Sequence, residues 1–60
     1  MQQRQLVLAV DDEPPILRLV RARLNADGYT VITASNGEDA VRMCEEERPD
    51  IVILDVMMPG

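Results

Sequence analysis

The sequence predicts an α/β fold: a three-stranded parallel sheet in the order 2-1-3, with one helix on each face. Three observations predict it. Short apolar runs, LVLAV at Leu6–Val10, TVIT at Thr30–Thr33 and IVIL at Ile51–Leu54, alternate strictly with two helical patterns. The first and last runs are continuous rather than alternating in polarity, as in parallel strands covered on both faces. The connections are a few residues long, and alternation at that spacing gives βαβ units. Right-handed crossovers then constrain the layout. With the first strand central, the two helices fall on opposite faces.

Each element has its own signal. Leu6–Val10 carries β-branched residues at Val7 and Val10, and its short length with flanking turn residues favours strand over buried helix. The first helix follows DDEPP, because proline is tolerated in a first turn, where its missing N–H has no partner to lose. Ile16, Leu17, Val20 and Leu24 share one face, while Arg18, Arg21 and Asn25 point away. The segment ADG ends this helix, with Gly28 placed for a left-handed C-cap. The second helix is expected after SNG, with Ala40, Val41 and Cys44 inward, a polar EEER end and Pro49 as its stop.

Composition bounds the function. Sixty residues make one domain at most. A chain this short buries only roughly 60% of its unfolded surface, so a partner is expected to supply stability. One cysteine forms no internal disulfide, and without histidine no zinc cluster of ordinary spacing exists. Cys44 reads as a reduced, packed thiol. The net charge of −5 and the single aromatic, Tyr29, argue against a nucleic-acid partner. Arg18, Arg21 and Arg23 read as a solvated helix face. MQQRQ leads into only five apolar residues, too few for a signal-peptide core, and no run approaches membrane-spanning length. The expectation is a cytoplasmic protein with no membrane partner.

The charges that stand out lie at strand ends. Parallel strands finish at one edge, so Asp11 and Asp12 after the first strand and Asp55 after the third converge if those strands are neighbours. Ligands of open α/β sheets bind beyond that edge, where the strand order switches. Two carboxylates ~4 Å apart repel by about 4 kcal/mol at an effective dielectric of 20, which a divalent cation relieves. An all-oxygen, carboxylate-rich site suits Mg²⁺, and a carboxylate beside it can act as a nucleophile toward a phosphoryl group. Taken singly, Asp11 or Asp12 reads as a turn, capping or solvated residue, and Glu13 as one that caps or solvates the first helix. DDEPP occupies the turn where a glycine-rich phosphate loop would follow the first strand, which argues against dinucleotide and nucleoside-triphosphate sites.

VLAVDDEPPILRLV, GYTVITASNGEDAV and RPDIVILDVMMPG together resemble the receiver domain of two-component response regulators, from about Gln5 to Gly60. The resemblance implies half of a flavodoxin-like, doubly wound receiver fold over residues 1–60. It also implies residue roles. Asp55 matches the phosphoryl acceptor, Asp11 and Asp12 match the acidic pair that holds Mg²⁺ together with Asp55, and Met57 matches the position whose backbone carbonyl completes the metal shell. Pro59 and Gly60 match the turn after the acceptor. The implied phosphodonor is a histidine kinase, and the chain is expected on the receiving side rather than as an enzyme.

The resemblance further implies that a receiver's second half, with a serine or threonine and a lysine that bind the phosphoryl oxygens, lies beyond the matched segments. The edge of the third strand is then expected to pair with another chain, as a homodimer. The alternative function is a self-associating half-domain that carries out no phosphotransfer.

Overall fold

The computed structural model describes residues 4–54. Five elements follow in order: β1 (Leu6–Val10), α1 (Pro14–Ala26), β2 (Thr30–Ala34), α2 (Gly37–Glu47) and β3 (Ile51–Leu54). The strands form one parallel sheet in the order β2-β1-β3. The expected topology is therefore present, and β2 runs one residue beyond the expected Thr33 to Ala34. The register pairs Leu6 with Thr30 through Val10 with Ala34 on one side of β1. On the other side it pairs Val7 with Ile51 through Val10 with Leu54.

Alternation along the central strand builds two cores. Val7 and Ala9 point to one face and join Val31, where Leu17, Val20 and Leu24 of α1 cover them with Tyr29. Leu8 points to the other face and joins Ala34 and Ala40, flanked by Val10, Ile32, Met43 and Cys44. Val7 and Leu8 are the largest side chains buried almost completely. A central strand with helices on both faces has no polar side, which explains its unbroken apolar sequence.

Two details of the helices differ from the sequence reading. Val41 is 60% exposed, and Met43 takes the inward place expected for it. The reason is angular: Ala40, Met43 and Cys44 follow the i, i+3, i+4 stripe, while Val41 lies about 100° round the helix from Ala40. Ile16, at the margin of the α1 stripe, is likewise exposed.

The helix ends are set by local bonds. The Gly28 N–H donates to the Asn25 carbonyl and the Tyr29 N–H to that of Leu24, the paired closure of a Schellman motif, with Gly28 at φ +99°. Helix α2 starts at Gly37, earlier than expected, because the Asn36 side chain accepts from the Asp39 N–H at 2.8 Å. Its C-cap, Arg48, is left-handed at φ 50° and ψ 62°.

Strand β3 differs from the other two. Its four residues are 38%, 45%, 37% and 60% exposed, and neither helix packs on it. What attaches its entry to the sheet is Asp50. The Asp50 N–H donates to the Leu6 carbonyl at 2.8 Å, and Asp50 Oδ2 accepts from the Leu6 N–H at 2.8 Å.

Candidate phosphoryl-acceptor site

The C-terminal ends of the strands open into a cleft of about 310 Å³. Val10 and Leu54 form its floor, the β1–α1 turn contributes Asp11 and Asp12, and the β2–α2 turn contributes Ser35 and Asn36. Register explains the assembly. Val10 stands beside both Ala34 and Leu54, so the residues that follow these strands start from one line across the sheet edge.

Asp11 is the buried acidic residue among the described residues. Its backbone continues the ladder, the N–H donating to the Ala34 carbonyl at 3.1 Å. That pulls the side chain inward until the residue is only 8% exposed. Its Oδ1 accepts from the Glu13 N–H at 2.9 Å, a turn that fixes the direction of the carboxylate. The described ion pairs are Arg23 with Asp27 and Arg42 with Asp39, so Asp11 has no cationic side chain beside it among the described residues. Its carboxylate and that of Asp12 supply oxygen donors at the cleft. Asp12, the neighbouring carboxylate, is exposed on the cleft wall.

Of the two roles expected for Glu13, capping or solvating the first helix, the exposed side chain takes the second. The residue occupies the N-cap position of α1 but makes no side-chain capping bond; its carbonyl instead accepts from the Ile16 and Leu17 N–H groups. The two prolines that open α1 remove donors a cap would otherwise serve.

The structure brings Asp11 and Asp12 to the cleft with the end of β3. Asp55 and Met57, and with them Pro59 and Gly60, lie outside the described residues. Among the described residues no three His, Cys, Asp or Glu side chains are grouped as a metal site. The hard oxygen donors of Asp11 and Asp12 nevertheless fit a Mg²⁺ ion, which is content with one or two carboxylates and keeps waters. Sequence reasoning treated Ser35 and Asn36 as a turn only. The signal that finds them is the one applied to the aspartates: β2 ends on the same sheet edge, so the residues after it also reach the cleft.

No helix among the described residues is long and apolar enough to cross a membrane. The model of the response regulator receiver domain matches residues 7–60. The chain is 48% identical over 59 residues to the probable transcriptional regulator ycf27 of Guillardia theta, covering 98% of this chain and 23% of that protein. It is 51% identical over 53 residues to the alkaline phosphatase synthesis transcriptional regulatory protein PhoP of Bacillus subtilis, covering 88% and 22%. It is 56% identical over 54 residues to the transcriptional regulatory protein KdpE of Mycobacterium tuberculosis, covering 90% and 24%. The chain thus spans about a quarter of the length of these curated relatives. With the parallel 2-1-3 sheet and the acidic cleft at its C-terminal edge, the family match settles the assignment: the chain belongs to the response regulator receiver domain family.

Proposed function

We propose that this chain is the phosphoaccepting half of a receiver in a two-component phosphorelay, with Asp55 taking a phosphoryl group from the phosphohistidine of a histidine kinase. The observation that carries the reading is buried Asp11, with no cationic side chain beside it among the described residues, next to Asp12 in a cleft that the last residue of β3 also lines. Asp55 is bonded to that residue, Leu54, so a single peptide unit of about 3.8 Å separates their Cα atoms. In the transfer, an Asp55 carboxylate oxygen forms a P–O bond as the donor's P–N bond breaks. The leaving imidazole keeps the electron pair. Asp11, Asp12, Asp55 and the Met57 carbonyl would hold Mg²⁺, which when bound offsets the carboxylates' mutual repulsion and the charge on the phosphoryl oxygens. Asp11, fixed by the Glu13 N–H, is pre-aimed, whereas exposed Asp12 is free to turn. The role is that of an acceptor in a cytoplasmic signalling chain rather than an enzyme acting on other molecules.

The test is treatment with acetyl phosphate and Mg²⁺, followed by intact mass measurement. A gain of one phosphoryl group that is absent in Asp55→Asn is expected. A folded chain that gains nothing, or an Asp55→Asn variant that still gains it, refutes the reading.

A second reading, self-association through β3 as a homodimer, is favoured by one observation. All four residues of β3 are apolar and at least 37% exposed, on a strand whose outer edge has no partner among the described residues. Sedimentation equilibrium decides it: a discrete dimer that Val52→Lys dissociates supports pairing, and a monomer at all loadings rejects it.

A further inference from the structure

One side chain, that of Asp50, bonds the entry of β3 to β1. The register of β1 with β2 is enforced by burial, because a slip would turn Val31 and Ala34 out of their cores. Packing enforces β3 less, because its four residues are at least 37% exposed and neither helix backbone approaches it closely among the described residues. With less of either face buried, packing within this chain specifies its register less strongly. Yet the position of β3 decides which residue stands beside Val10 and therefore which residue follows at the cleft.

Asp50 supplies what packing does not. Leu6 directs both its backbone groups toward β3, and Asp50 engages both, its N–H on the carbonyl and its Oδ2 on the N–H, each at 2.8 Å. The preceding residue, Gln5, is turned to the other side, its carbonyl accepting from the Thr30 N–H at 3.0 Å. The carboxylate of Asp50 thus gives the first β3-facing N–H of β1 a charge-assisted bond. Two bonds to one residue, in opposite senses, specify a single register. A slip of one residue displaces the far end of the strand by about 3.3 Å and exchanges its faces.

We propose that Asp50 is a positioning residue for the acceptor site: a register clamp at the entry of β3 that determines which residue reaches the cleft at its exit. The functional consequence rests on the reading of Asp55 as the acceptor; the clamp itself does not. In Asp50→Ala, NMR cross-peaks between β1 and β3, from Val7 to Ile51 and from Val10 to Leu54, weaken or split. Those between β1 and β2, from Val7 to Val31, remain. Asp50→Asn keeps an acceptor oxygen and retains both sets. Phosphoryl uptake from acetyl phosphate falls at least about tenfold in Asp50→Ala, as expected for a misplaced reacting group, and is largely restored in Asp50→Asn. Val20→Ala, which weakens the α1 side without touching β3, serves as the stability control and keeps its uptake. Should Asp50→Ala fail to fold, amide exchange in the unaltered chain decides: the clamp predicts protected Leu6 and Asp50 amides. Intact β1–β3 cross-peaks in Asp50→Ala, unprotected amides, or equal loss of uptake in Val20→Ala overturns the proposal. If the unaltered chain takes up no phosphoryl group, the acceptor reading fails, and the cross-peaks alone still judge the clamp.

Discussion

Replacing Leu8 by alanine is the sharpest test of how this sheet is held. Leu8 is fully buried in the centre of β1 and packs with Ala34 and Ala40 on the α2 face. Leu→Ala at such sites removes about 2–5 kcal/mol, with the larger losses where neighbours cannot close the cavity. Two of the neighbours here are alanines, with no side-chain length to move inward. Met43 is flexible and can fill part of the space. The expected loss is therefore about 3–4 kcal/mol. At about 0.05–0.15 kcal/mol per residue, a chain of this length has a total stability of roughly 3–9 kcal/mol. One substitution thus removes a third of it at the least and can abolish folding. Urea titration followed by far-UV circular dichroism reads the change as a lower midpoint at unchanged slope. Leu19→Ala is the control, because Leu19 is 68% exposed and its truncation stays within about 0.5 kcal/mol. A loss below about 1 kcal/mol in Leu8→Ala, or an equal loss in Leu19→Ala, would refute a core centred on β1.

Two backbone predictions follow, each read by the same titration. Gly28→Ala loses about 1–2 kcal/mol although an added Cβ meets open space, because the loss comes from the left-handed backbone alone; an unchanged midpoint would contradict the observed φ. Arg48→Gly gains about 0.5 kcal/mol, since relief of the left-handed C-cap outweighs the greater freedom of the unfolded chain; a loss would show that the arginine side chain contributes more than its backbone strain removes.

The strand order was legible in the sequence because burial on both faces leaves a continuous apolar run, and β1 carries it. The α1 face was legible at Leu17, Val20 and Leu24, which keep helical spacing. Val41 misled because hydrophobicity alone does not set the phase of a helix; the Asn36 cap fixes where α2 begins, and Ala40 and Cys44 then draw Met43 inward. The acidic pair was legible from its place after a strand. The depth of Asp11 was not, because it comes from a backbone bond to Ala34, far along the chain. Asp50 was opaque for the same reason: its partner is Leu6, and nothing local in RPD announces a bond across two elements.

In the proposed acceptor site Asp11, Asp12 and Asp55 hold one cation between them. The most direct test is a Mg²⁺ titration of the isotope-labelled chain, followed through the amide signals of Asp11, Asp12, Asp55 and Met57. Saturable shifts are expected at all four, lost together in the double variant Asp11→Asn, Asp12→Asn, while signals from Val20 and Leu24 stay in place. Shifts confined to Asp11 and Asp12, or none in a folded chain, would contradict the proposed site.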